Sequence, residues 1–375
     1  MKIGLITYHS AYNFGSVLQA YATQETIKKL IGNCEIINYR SKEQKRYYSI
    51  FKIDKSSNLL KAIAKNILNI FLYSKKKKRQ IKYEKLFKRI FNLSEECEEP
   101  EDVYKIWNKY DIIISGSDQI WNKHSNELNE VSWKYINPYV LHGYKGKKIS
   151  YASSPANMSV DDIKHIIDDL RKFNNISIRE NESCKFLKKE FNLNTTNVLD
   201  PTFLLTKEEW IKKLKLEKNE KENYILYYVL GSRKETNNVL KKLKKYADNQ
   251  NLKLKVIAPL TILSKIKDVD FIYDADPVDF LNLIYNAKEV ITDSYHGTIL
   301  SINFNKEIYS FCRNGGADFR KTDILFRLGM ENRILKNIND FFIEDRKEKS
   351  LDYDKINKNL DKLRNESKDY LIKSI

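Results

Sequence analysis

One of the chain's five histidines stands in the run Asp293-Ser294-Tyr295-His296-Gly297-Thr298. An imidazole titrates near neutral pH, so His296 can deliver or accept a proton, or hold an anion. Asp293 is a candidate base, and Ser294, Gly297 and Thr298 offer hydroxyls and helix-start amides to an anionic ligand. A second run, Ser115-Gly116-Ser117-Asp118-Gln119-Ile120-Trp121-Asn122, supplies Asp118 as a base or sugar ligand. Ser117 and Gln119 add polar contacts there, and Trp121 an aromatic wall. A third, Ile178-Arg179-Glu180, presents a guanidinium whose planar fork matches carboxylate or phosphate. A fourth, Tyr8-His9-Ser10-Ala11-Tyr12-Asn13-Phe14-Gly15-Ser16, has Asn13 as a cap and Gly15 and Ser16 as amide donors to an anion. Plainer readings stand beside these: capped turns, a core tryptophan, a surface Arg–Glu pair, a structural histidine.

The elements around these runs put them at strand ends. Short apolar segments alternate with helical periodicity from end to end. The first series has strands at Ile3–Tyr8, Glu35–Tyr39, Asp111–Ser115, Lys148–Ala152, Asn175–Ile178 and Asn197–Leu199. After Asp200-Pro201 a second series follows, with strands at Tyr224–Leu230, Leu254–Ala258, Phe271–Tyr273, Glu289–Thr292 and Glu307–Phe311. Strands of four to six residues separated by helices imply parallel sheets. The expected fold is α/β: two doubly wound, Rossmann-like parallel-sheet domains facing a cleft, with ligands at the carboxyl ends of the strands. The expected domains are 1–205, which carries a helical basic arm at about 41–99, then 206–345, with a closing helix over 346–375.

Charge singles out the arm. The chain carries +17, and residues 40–90 hold 17 Lys and Arg against three acids, a net +14. Leu59, Leu60, Ile63, Ile67, Ile70 and Phe71 recur there at helical spacing, followed by Lys75-Lys76-Lys77-Lys78-Arg79. No RNA-binding signature accompanies the run, so no nucleic-acid partner is expected. An apolar stripe with a basic flank over residues 56–90 instead fits peripheral contact with an anionic membrane. The rival is an arm packed on its own domain. No apolar run reaches the ~18 residues a bilayer requires, the N-terminus lacks signal-peptide character, and the four cysteines form no Cys-x-x-Cys. A cytoplasmic protein follows, peripheral at most to the inner face of the membrane. Asp274-Ala275-Asp276 matches the Asp-x-Asp of metal-dependent glycosyltransferases, but Asp276-Pro277-Val278-Asp279 reads better as a helix start. No metal or cofactor is expected.

At these motifs the chain resembles the polysaccharide pyruvyl transferase family. The resemblance is carried by Ile6 through Tyr21, Ser115 through Asn122, Ser150-Tyr151-Ala152-Ser153-Ser154, Ile178-Arg179-Glu180, Asp200-Pro201-Thr202, Asp293 through Thr298, and Phe319-Arg320 before Leu328-Gly329. It spans residue 1 to about 345 and is loosest over 41–99. It implies a GT-B-like two-domain fold. It also implies transfer of a pyruvyl group from phosphoenolpyruvate to two hydroxyls of a sugar in a cell-surface polysaccharide or its lipid-linked precursor. Arg179 and His296 fall at the family's phosphoenolpyruvate-binding arginine and histidine. One departure stands out: where better-studied members carry an arginine, this chain has Ser294. Arg313 or Arg320 is then the expected replacement cation. Otherwise the donor differs, and a nucleotide-sugar glycosyltransferase or a non-catalytic membrane adaptor is the alternative.

Overall fold

In the computed structural model the chain forms two compact units, Met1–Leu204 with Leu363–Ile375, and Leu205–Lys362. The structure describes residues 1–51, 69–70, 72–128, 131–231, 233–259, 266–312, 319–343 and 350–375. Arg313 and most of the apolar stripe expected at 59–71 lie outside them.

In the first unit β1 (Ile3–Ile6), β2 (Cys34–Ile36), β3 (Ile112–Ser115) and β4 (Lys147–Ser150) form a parallel sheet in the order β2-β1-β3-β4. A parallel pair, β5 (Ser177–Ile178) and β6 (Thr196–Asn197), joins it through single bridges from Ile149 to Asn175 and from Ser153 to Ile178. The central strands are covered on both faces, which is why they read as unbroken apolar runs rather than alternation. Each isoleucine buried in this way contributes about 1.5–3 kcal/mol.

The helix Phe14–Leu30 is started by Asn13, whose side chain accepts from Gly15 N and Ser16 N. It ends at Gly32, where φ is +141°. The arm holds helices Lys42–Tyr47 and Tyr73–Ile90, the second burying Tyr83, Leu86 and Phe87 against the unit. The returning chain does not stand outside the sheet. Leu93 bridges Ile36, and Cys97 bridges Tyr39, so the end of the arm extends the β2 edge. Between β4 and β5 lie two short helices, Val160–Lys164 and Ile167–Leu170.

The second unit is a six-stranded parallel sheet of β7 (Tyr224–Tyr228), β8 (Lys253–Ile257), β9 (Val269–Ile272), β10 (Glu289–Thr292), β11 (Glu307–Phe311) and β12 (Ile334–Leu335). Its order is β12-β11-β10-β7-β8-β9. Asp276 caps the helix Pro277–Asn286 in a capping box with Asp279, the role its sequence favoured over metal binding. The last helix, Tyr353–Ser374, begins in the second unit and ends in the first. There Ser367 Oγ accepts from Leu199 N at 3.0 Å, Arg364 Nε donates to Phe203 O at 2.6 Å, and Tyr370 OH donates to Ser150 O at 3.0 Å. Among the described residues, no helix is long and apolar enough to cross a membrane.

Gly116, just past β3, has φ +149°, and a Cβ there would lie 2.0 Å from Tyr151 O. Neither the dihedral nor the neighbouring backbone tolerates a side chain. Gly116→Ala is expected to cost about 3 kcal/mol, read from the denaturant midpoint of the first unit.

Candidate active site

In each sheet the strand order reverses once, between β1 and β3 in the first unit and between β7 and β10 in the second. Adjacent strand ends diverge there into loops that leave in opposite directions, and this is where parallel sheets bind ligands. Each reversal holds an aspartate. Asp118, after β3, accepts from Ser16 Oγ at 2.8 Å, so it ties down the start of the helix that follows β1. Asp293, after β10, accepts from Leu230 N at 2.7 Å and Gly231 N at 2.9 Å, tying down the loop after β7.

Asp118 has φ +73°, a conformation that non-glycine residues seldom adopt and that clusters at functional sites. Its second oxygen accepts from Gln119 N at 2.9 Å. Arg179 Nη1 lies 3.8 Å away. Arg179 itself is only 2% exposed at the side chain. Its Nε donates to Glu180 Oε1 and its Nη1 to Asp200 Oδ2, both at 2.9 Å. Glu180 Oε1 also accepts from Ser154 Oγ at 2.9 Å, and Asp200 Oδ1 from Thr202 N and Oγ1. In the structure the guanidinium expected to meet an anionic donor is turned to carboxylates of its own chain. Arg179 is the buried counter-ion of three carboxylates, because a guanidinium taken out of water needs such partners.

Three further expectations change. Trp121 is no pocket wall. It is fully buried, its Nε1 donates to Tyr139 O at 3.0 Å, and its ring packs edge-on against Phe173. Core burial satisfies its one donor while covering its apolar faces. Gly15 N and Ser16 N are occupied by the Asn13 cap, which engages those amides within the chain. Ser117 is buried and turned inward, its Oγ donating to Ala152 O at 2.9 Å. Gln119 is half-buried and accepts from Asn122 Nδ2 at 2.7 Å.

In the second unit the helix Tyr295–Asn303 starts at Ser294, whose Oγ accepts from Gly297 N at 3.2 Å. Ser294 therefore acts as a cap where the family arginine would stand. Gly297 allows close packing, since a Cβ there would meet Thr292 Oγ1 at 2.7 Å. Thr298 is buried, with its hydroxyl on Ser294 O at 3.0 Å and 2.8 Å from Ser310 Oγ. His296 occupies the first turn, 9% exposed. Arg320 stacks on the Tyr295 ring at 5.4 Å. Beneath the turn lies a cation the sequence did not flag. Lys321 is buried and donates from Nζ to Asp293 O at 2.9 Å and to Phe311 O.

Glu127 also escaped notice. It accepts from Tyr48 OH at 2.6 Å. Burial pushes its carboxyl above the usual range, and the nearby Asp118 charge adds to this. Among the described residues, no group of three or more His, Cys, Asp or Glu side chains could hold a metal ion.

A family model for polysaccharide pyruvyl transferase matches residues 13–311. The chain belongs to that family. Among curated proteins none matches it by sequence. Among solved structures it is similar to the UDP-GlcNAc 2-epimerase of Neisseria meningitidis bound to UDP-GlcNAc, at 10% identity and a TM-score of 0.55 over 100% of this chain and 99% of that one. The UDP-GlcNAc 2-epimerase of Methanocaldococcus jannaschii, in complex with UDP-GlcNAc and UDP, gives 13% identity and a TM-score of 0.50 over 93% and 92%. At such identities the likeness is one of fold: GT-B-like α/β units with parallel sheets.

Arg179→Met leaves three carboxylates crowded together and is expected to destabilise the protein by about 3–5 kcal/mol. Crowding raises the carboxyl pKa values in the folded variant above their unfolded values. Its deficit should therefore shrink at pH 5 and grow by pH 8, as measured by unfolding at both. His9 gives the opposite slope. Burial lowers its pKa from 6.5 to about 4, so the fold holds it neutral. Its contribution is complete above pH 6.5 and is lost as pH falls towards 4, by about 3 kcal/mol. His9→Gln should flatten that limb of the stability–pH curve.

Proposed function

We propose that this member of the polysaccharide pyruvyl transferase family transfers the pyruvyl group of phosphoenolpyruvate to two hydroxyls of a glycan, giving a ketal and inorganic phosphate. The observation that carries this reading is the family match over residues 13–311. The chemistry of the two aspartate turns supports it. The Asp118 cluster sets three carboxylates against one guanidinium, so it repels a trianionic donor and suits a sugar's hydroxyls. The turn over Asp293–Thr298 has His296 in its first turn and Lys321 beneath it. Taken by itself, this turn suits the donor's anions.

The reaction begins when the methylene carbon of phosphoenolpyruvate takes a proton, which leaves positive charge on the adjacent carbon. His296 supplies that proton. A carboxylate base takes the proton of the first sugar hydroxyl as its oxygen bonds to this carbon. The carbon–oxygen bond to phosphate then breaks, and the second hydroxyl closes the ring and releases its own proton. Lys321 brings positive charge to the departing phosphate in place of the arginine absent at Ser294. Arg179 touches no reacting atom. It is a positioning residue that holds Glu180 and Asp200 and faces Asp118. The acceptor is a cell-surface glycan or its lipid-linked precursor.

The GT-B-like fold also suits a nucleotide-sugar donor, and ligand stabilisation separates the two readings. Thermal shift is expected with phosphoenolpyruvate and not with a panel of nucleotide sugars. Phosphate release from phosphoenolpyruvate should require a glycan acceptor, and His296→Ala should slow it about 100-fold or more. A protein that never consumes phosphoenolpyruvate across an acceptor panel would refute the assignment. Unchanged release by His296→Ala would remove the histidine from it.

A further inference from the structure

Two adjoining cavities in the first unit, sharing Tyr12 and Gln80, are used by none of the chemistry above. The inner one, about 110 Å³, is lined by Ser10, Tyr12, Arg40, Gln44, Lys45 and Tyr48 among others. The outer one, about 300 Å³, lies along the helix Tyr73–Ile90 and is lined by Lys77, Ile81, Glu84, Lys85 and Lys88. Both are lined by Tyr12, in the segment between β1 and the helix that bears Ser16.

The inner cavity holds an unanswered donor. Gln44 is 5% exposed, and its Oε1 faces Ser10 Oγ at 3.5 Å. Among the described residues its Nε2 has no hydrogen-bond acceptor. A buried amide in that state costs free energy unless a ligand oxygen meets it. The two cations of this cavity are already matched: Arg40 forks onto Glu84 at 3.0 and 2.6 Å, and Lys45 pairs with Glu96 and Glu98. With hydroxyls, an amide and the edge-to-face Tyr12–Tyr48 pair, the lining suits a polyhydroxyl ring rather than a bare anion.

The outer cavity differs in charge. Lys77, Lys85 and Lys88 recur at helical spacing on one exposed stripe. Among the described residues they enter no ion pair. Three ammonium groups beside one carboxylate, Glu84, which Arg40 already pairs and Lys88 also faces, leave an excess of positive charge that selects an oxyanion.

We propose that the two cavities together bind a glycosyl phosphate, its ring in the inner cavity against Gln44 and its phosphate on Lys77, Lys85 and Lys88. In the pyruvyl-transfer reading, on which this role rests, it is the phosphate-bearing end of the acceptor. The same chemistry occurs in a diphosphate-linked glycan and in a nucleotide sugar, so the test includes both.

The test is titration calorimetry with glucose 1-phosphate, glucose, inorganic phosphate and UDP-glucose. Glucose 1-phosphate should bind saturably, at least tenfold tighter than glucose or phosphate alone. Gln44→Leu should weaken it about tenfold, the scale of one buried hydrogen bond. The surface variant K77Q/K85Q/K88Q, which leaves the core untouched, should weaken it similarly and remove most of its salt dependence. UDP-glucose binding no tighter than glucose 1-phosphate supports the acceptor role. Binding 100-fold tighter overturns that role in favour of a nucleotide-sugar donor. Unchanged affinity in both variants overturns the site. So does sedimentation with phosphatidylglycerol vesicles through the same lysines when glucose 1-phosphate does not bind. Phosphoenolpyruvate titrated in parallel separates the failures: its binding without glucose 1-phosphate binding sinks this inference alone, and the reverse sinks only the donor assignment.

Discussion

An aspartate at a strand-order reversal can accept hydrogen bonds from the segment that follows the neighbouring strand, and both sheets of this protein use that link. In the first unit the donor is the Ser16 hydroxyl; in the second it is the pair of amides at Leu230 and Gly231. The link matters because a parallel sheet leaves its two central strand ends diverging, with nothing in the ladder to hold their loops. A carboxylate accepts several bonds and fixes both loops at once. His296 lies three residues from Asp293, Lys321 donates to the Asp293 carbonyl, and Arg179 faces Asp118.

Burying charge to build such a turn has a cost, and the two units meet it differently. The first surrounds one guanidinium with three carboxylates, which also accept from Ser16, Ser154 and Thr202, while Glu180 Oε2 has no hydrogen-bond donor among the described residues. In the second, Lys321 donates to the backbone carbonyls of Asp293 and Phe311, which fixes the turn from below.

Much of this was legible in the sequence. Ile112-Ile113-Ile114 and Tyr224–Tyr228 announced buried parallel strands, and the polar runs after them announced the turns. Asp276 with Pro277 and Asp279 announced a capped helix. Less could be read about direction. Nothing in Arg179-Glu180 tells that the arginine points inward to Asp200, twenty-one residues away, because that pairing exists only once β5 and β6 align. Trp121 looked like a ligand platform for the same reason: an indole beside polar residues is ambiguous until the packing of Tyr139 and Phe173 is known. Lys321 was invisible as a site residue in a chain so rich in lysine. The +14 segment is a property of the sequence itself, but charge counting could not separate Lys45, paired with Glu96 and Glu98, from Lys77, Lys85 and Lys88 on the exposed face of Tyr73–Ile90.

The closing helix carries a consequence for how the protein is made. Leu363–Ile375 belongs to the same compact unit as Met1–Leu204, and its side chains meet backbone groups at Ser150, Leu199 and Phe203. A ribosome delivers the chain in order, so the first sheet waits, with those groups exposed, while all of Leu205–Lys362 is synthesised. The second unit receives its whole sequence earlier than the first receives its last helix. Assembly of the unit begun first is therefore completed last.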